Sequence, residues 1–142
     1  MSRSGYSDEC DGWALICWRG AVERAILGKR GQKLLRDLRA ALDAMPVKRL
    51  IVGALEQDGE VCALGAVGVA RGLNMTTLNP VDDETIALAF DIAPALAKEI
   101  AFVNDDDFAY STYGEETPEQ RWRRVRKWVD RQIPKEEARD GS

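Results

Sequence analysis

Ala63-Leu64-Gly65-Ala66-Val67-Gly68-Val69-Ala70 is the stretch that decides the fold. An unbroken run of small apolar residues suits either a buried strand or a tightly packed helix. It is read here as a helix with Gly72 as its C-terminal glycine, which makes the chain mainly helical. Just before it, Asp58-Gly59 is a two-residue hairpin signal, with Lys48 to Glu56 as the incoming strand and Glu60, Val61 and Cys62 on the return. Further upstream, Leu34, Leu35, Leu38, Ala41, Leu42 and Met45 recur at three- and four-residue steps. That is a one-sided amphipathic helix ended by Pro46, with Lys33, Arg36 and Arg39 on its outer face. Asp11 to Leu27 reads as the first helix, with Asp11 as N-cap and Gly28 as stop. Its apolar residues form two stripes, Trp13, Ile16, Gly20, Leu27 and Leu15, Trp18, Val22, Ile26, nearly opposite each other on a helical wheel. This places the N-terminal helix at the centre of the fold.

Downstream, Asn79-Pro80 and Asp82-Asp83 announce a helix start at about residue 82, and Pro94 begins another helix whose apolar face holds Leu96, Ile100 and Val103. Asn104 to Glu116, acidic and holding Gly114, reads as a surface loop. The last helix is the best signalled: Thr117 as N-cap, Pro118 at the first helical position, Gln120 three residues after the cap, then Trp122, Val125, Val129 and Ile133 as core stripe. The pattern predicts an α+β fold, mainly helical, with five to six helices around a central N-terminal helix plus a small β-hairpin. Residues 1–134 form a single globular domain and 135–142 a flexible tail.

The chain of 142 residues contains no histidine. The side chain most used for acid/base work near neutral pH, and for binding transition metals, is therefore missing, and most hydrolase triads and zinc chemistries go with it. Apolar runs are too short to span a bilayer, and Met1 to Asp11 carries no secretion signal, so the expected compartment is a cytoplasm with no membrane contact. Cys10, Cys17 and Cys62 fit neither a disulfide framework nor a metal spacing, and Cys17 and Cys62 are read as small core hydrophobes. The sequence indicates no enzyme, no cofactor and no metal. Its net charge of −4 hides a polarity: residues 1–116 hold 12 Lys/Arg against 19 Asp/Glu, and residues 117–142 hold 8 against 5.

Two surfaces follow from that polarity. On the last helix Arg124, Lys127 and Arg131 face away from the core stripe, Arg121 stands on its flank, and Trp128 lies beside Arg121 and Arg124. Such a face can neutralise phosphates with Trp128 stacking on a base, dock a protein, serve as a homodimer contact, or simply pair with the acidic body. Lys29, Arg30, Lys33 and Arg36 would add a second nucleic-acid contact, and reversing Arg124 and Arg131 together should weaken a salt-dependent binding without unfolding the chain. The second surface is acidic: Asp82, Asp83 and Glu84, then Asp105, Asp106 and Asp107, then Glu115 and Glu116. Without the alternating ligands of a calcium loop, it is a candidate partner surface or a solvated loop. Glu84 to Ile100 has only the outline of a helix-turn-helix, since Lys98 is its one basic residue, and core packing explains it better.

Taken together, Ser4-Gly5-Tyr6-Ser7-Asp8, Trp18-Arg19-Gly20-Ala21-Val22, Gly28-Lys29-Arg30-Gly31-Gln32, Cys62-Ala63-Leu64-Gly65-Ala66, Asn104-Asp105 and Thr117-Pro118-Glu119 with Trp122 resemble a group of small proteins encoded by phages and prophages of Gram-negative bacteria. The resemblance covers most of the chain, brings no activity, and supplies no site residues. A looser similarity of Cys62 to Val129 to other small phage and actinobacterial domains favours a helix at Ala63 to Ala70. The resemblance implies an accessory protein that binds and inhibits or redirects a bacterial host protein or ribonucleoprotein complex, in the manner of an anti-CRISPR or other counter-defence protein. The alternative is a nucleic-acid-binding protein that uses the basic C-terminal helix.

Overall fold

A computed structural model describes residues 12–105 and 116–134. Within it Ala63–Arg71 is a helix, and the small residues that made the run ambiguous explain its position. Every residue from Ala63 to Gly68 is buried. A Cβ at Gly65 would overlap the Leu55 carbonyl, and one at Gly68 would overlap the Met75 thioether, so the two glycines let neighbours approach closer than any larger residue would permit. At the start of this helix the Cys62 thiol sulfur accepts from the Gly65 N–H at 3.4 Å. Gly72 ends it in the left-handed conformation at φ 72°.

In chain order the elements are α1 (Gly12–Leu27), α2 (Lys29–Ala44), β1 (Glu56–Gln57), β2 (Glu60–Val61), α3 (Ala63–Arg71), a 3-10 turn (Met75–Thr77), α4 (Asp83–Phe90), α5 (Pro94–Asp105) and α6 (Pro118–Gln132). This is the mainly helical α+β fold that the pattern predicts, six helices and a two-stranded antiparallel hairpin among the described residues. The hairpin pairs Glu56 with Val61 and Gln57 with Glu60, and turns through Asp58 at φ 54° and Gly59 at φ 80°, the paired positive angles of the tight turn that Asp-Gly favours. The incoming strand is shorter than the Lys48 to Glu56 run suggested, because Gly53 adopts φ 79° and breaks the extended path. Leu50 and Leu55 are nonetheless buried, and the Ile51 N–H donates to the Val61 carbonyl at 2.9 Å.

The N-terminal helix does not hold the centre. Val22 and Ile26 of one stripe are buried, whereas Ile16 and Leu27 of the other are 65% and 67% exposed, and α1 packs its buried side on α2 and α5. Cys17 is exposed and Cys62 buried, so only the second thiol is a core residue. α3 is buried from Ala63 to Gly68 and packs against α2, α5 and β2. A helix edged with Gly and Ala can be surrounded at short range, whereas one carrying two rows of large side chains keeps its neighbours apart. The α2 stripe expected from spacing is buried from Leu34 to Leu42. α5 runs two residues further than expected, carrying Asn104 and Asp105 on its last turn rather than in a loop. Residues 106–115 and 135–142 lie outside the described residues, as does Asp11.

The close packing of α3 has a measurable consequence. Gly65→Ala should destabilise the fold by about 2–3 kcal/mol, because the overlap is with backbone that cannot swing away. Gly68→Ala should do less, since the Met75 side chain can move. Gly20→Ala, whose Cβ would meet only the Arg24 guanidinium, should be neutral or stabilising by up to about 1 kcal/mol. Urea midpoints in the order Gly20→Ala, Gly68→Ala, Gly65→Ala from high to low are expected, and equal midpoints would mean that α3 is loosely held.

Candidate functional site

The C-terminal helix begins as its sequence signals require. Thr117 Oγ1 accepts from the Gln120 N–H at 3.0 Å and Gln120 Oε1 accepts from the Thr117 N–H at 2.9 Å, a reciprocal capping box with Pro118 at the first helical position. Val125 and Val129 are wholly buried and Ile133 nearly so. α6 packs on both α2 and α5, so a wider arc of its surface is covered than the core stripe alone would predict.

That second contact changes the assignment of three residues. Trp128, placed off the core stripe by the wheel, is only 7% exposed and is part of the hydrophobic core, unavailable for base stacking or for a dimer contact. Arg124 does not face away. It grips Glu116 with two parallel bonds, Nε to Oε2 at 2.7 Å and Nη2 to Oε1 at 2.9 Å, and its Nη1 donates to the Val103 carbonyl at 2.5 Å. Arg121 donates through Nη1 to the Leu50 carbonyl at 2.7 Å, and its Nε stands 3.4 Å from Glu116 Oε1. Burial pushes the Arg121 pKa down, opposed by the Glu116 charge beside it. Arg121 and Arg124 therefore tie α6 to the end of α5 and to the Leu50 segment. Reversing Arg124 would break this tie as well as any ligand contact.

The acidic positions also divide. Asp82 caps α4, its Oδ1 accepting from the Thr85 N–H at 3.2 Å and its Oδ2 from the Thr85 hydroxyl at 2.8 Å, and these bonds hold its pKa below the usual carboxylate range. Asp83 lies 3.6 Å from Lys98, which also sits 4.8 Å over the Trp18 ring, and Glu84 is exposed. Asp105 accepts from Asn104 Nδ2 at 2.7 Å and from the Gly53 N–H at 3.4 Å. Glu116 has a side chain only 4% exposed. Asp106, Asp107 and Glu115 lie outside the described residues. Among the described residues no three His, Cys, Asp or Glu side chains gather as a metal site, and no helix is long and apolar enough to cross a membrane.

What the fold does assemble is a basic face on two helices. α2 and α6 run antiparallel, rising numbers on one meeting falling numbers on the other. Gln32 Nε2 donates to the Gln132 carbonyl at 3.1 Å, Arg39 stands 3.4 Å from Asp130, Arg126 grips Asp43 at 2.8 and 3.0 Å, and Trp122 Nε1 donates to the Leu42 carbonyl at 3.2 Å. The paired hydrogen bonds of Arg126 hold the Asp43 carboxyl below its ordinary pKa and raise that of Arg126. On the side of each helix opposite its buried stripe lie Lys29, Lys33 and Arg36 on α2, and Arg123, Lys127 and Arg131 on α6, all exposed. Arg30 is drawn aside to Asp91 at 3.3 Å. The two helices together carry eleven basic and four acidic side chains, against nine and twenty in the remainder of the chain.

Sequence spacing placed Lys29, Lys33, Arg36, Lys127 and Arg131 outward, but it set Arg124 in the α6 row where the structure has Arg123, and it did not show that the two helices adjoin. It missed Asn104, wholly buried, whose Oδ1 accepts from the Ala63 N–H at 3.0 Å and whose Nδ2 donates to the Ile51 carbonyl at 2.8 Å. The signal was present in its spacing, four residues after Ile100 on an apolar face. Compared with protein-family models, curated proteins and solved structures, the chain matches none.

Proposed function

We propose that this protein is a non-enzymatic accessory protein of phage type, acting in the bacterial cytoplasm by docking on a host protein or ribonucleoprotein complex through the α2–α6 face. The observation that carries the reading is the segregation of charge: two adjoining helices hold a large basic excess in a chain whose net charge is −4. Contiguous charge of one sign steers association and selects a partner of opposite sign. The acidic positions support the same choice, since Asp82, Asp105 and Glu116 are engaged in caps and internal bonds. Lack of histidine and the structural use of these carboxylates favour binding over catalysis.

The test is capture from bacterial lysate by tagged protein, wild type against Lys127→Glu plus Arg131→Glu, with and without nuclease. Both residues are exposed and, among the described residues, neither is bonded to the rest of the fold, so the variant should keep its helicity and urea midpoint. Wild type is expected to retain a defined complex, and the variant at least tenfold less of it, since both reversed charges lie on the docking face. Equal retention, or nothing retained by wild type, would refute the reading.

A further inference from the structure

We infer that the α2–α6 face binds the phosphate backbone of double-stranded DNA directly, so that the host complex is engaged at the DNA it holds. The inference rests on the docking face proposed above and names what that face touches.

Three observations lead there. First, the face lacks an apolar anchor. The large exposed hydrophobics among the described residues are Ile16, Leu27, Val47, Val52, Val69, Val81 and Leu88, and none stands on α2 or α6. Protein interfaces draw their energy from a desolvated centre with aromatic or aliphatic anchors inside a polar rim. A face with a large excess of Lys and Arg, its Asp43 and Asp130 paired with Arg126 and Arg39, is instead suited to phosphates, which need charge and hydrogen-bond donors and no apolar centre.

Second, among the described residues the face offers no stacking platform. Trp128 is in the core, and Trp122 is half-buried with its Nε1 bonded to Leu42 and Lys48 lying 5.4 Å from its ring. Single strands are held by bases stacked on aromatics, so the fit is to a paired duplex.

Third, the two rows lie on packed, antiparallel helices. Arg123, Lys127 and Arg131 are four residues apart, a row about 12 Å long at 1.5 Å rise per residue, and Lys29, Lys33 and Arg36 make one of about 10 Å. Packed helices lie about 8–10 Å apart, and their long side chains splay outward. Two such rows match the phosphate strands bordering the major groove of B-DNA, about 12 Å wide, better than the deep and narrow major groove of A-form RNA. The salt bridge of Lys33 to Asp37 at 3.6 Å leaves Lys33 72% exposed and able to reach outward.

The experiment is fluorescence anisotropy of the whole protein with a labelled DNA duplex of about 20 base pairs, across about 50 to 200 mM salt. Parallel arms use duplex RNA of the same sequence, single-stranded DNA and polyglutamate. Six phosphate contacts predict a log–log slope near −5, or roughly a thousandfold loss of affinity over that range. Both Lys127→Glu plus Arg131→Glu and Lys29→Glu plus Lys33→Glu should lower affinity by roughly tenfold or more and flatten the slope by about two. Tighter binding to RNA, to single strands or to polyglutamate overturns the inference, as does duplex binding that ignores either pair of substitutions. If the purified protein ignores duplex DNA while lysate capture still depends on Lys127 and Arg131, the docking reading stands and this inference falls. If duplex DNA is bound while capture is indifferent to those residues, the inference stands and the docking reading falls.

Discussion

Glu116→Ala should lower the unfolding free energy by about 3 kcal/mol, the scale expected when one partner of a buried ion pair is removed. The reason lies in what is left behind. Glu116 is the shared counter-ion of Arg121 and Arg124, whose side chains are 12% and 23% exposed against its own 4%. Without it two guanidinium groups remain close together and largely out of water, bonded to the Leu50 and Val103 carbonyls but without the carboxylate they share. Glu116→Gln keeps the volume and one acceptor oxygen and should be the milder change. Arg123→Ala, on the exposed side of the same helix, should move stability by no more than about 0.5 kcal/mol. Urea denaturation followed by far-UV circular dichroism reads all three. A loss below about 1 kcal/mol for Glu116→Ala would show that Arg121 and Arg124 reach solvent and that the tie between α5 and α6 is superficial.

Asn104→Leu is the second large effect, expected at about 3 kcal/mol despite replacing a polar core residue with an apolar one of similar size. Asn104 is wholly buried and satisfies two backbone groups from different elements, the Ala63 N–H at the start of α3 and the Ile51 carbonyl beside the hairpin. Leucine would leave a donor and an acceptor buried without partners, each worth about 1–3 kcal/mol. Asn104→Asp separates the two roles: it keeps an acceptor for Ala63, loses the donor to Ile51, and sets a second carboxylate against Asp105. Thermal unfolding of Asn104→Leu within a degree or two of wild type would mean that water reaches both backbone groups.

Much of the fold could be read from spacing because its cues are local. The capping box at Thr117, the Asp58-Gly59 turn, the Gly72 stop and the α2 stripe each depend on residues within a few positions of one another. What could not be read depends on partners distant in sequence. A helical wheel gives the angle of Trp128 and Arg124 but cannot say that α5 packs on that flank of α6, so a residue angled away from one neighbour was assigned to solvent. The same limit hid the burial of Asn104, whose partners Ala63 and Ile51 lie 41 and 53 residues away. It also misplaced α1: two apolar stripes suggest a central helix, yet Ile16 and Leu27 of one stripe are exposed.

α6 divides its arginines between two tasks. Arg121 and Arg124 are bonded into the interior of the molecule, while Arg123, Lys127 and Arg131 are exposed on its surface. Selection can therefore act on the two sets separately. A lineage can rewrite its outer cations to follow a changing target, or exchange them for another chemistry altogether, without disturbing the architecture that presents them.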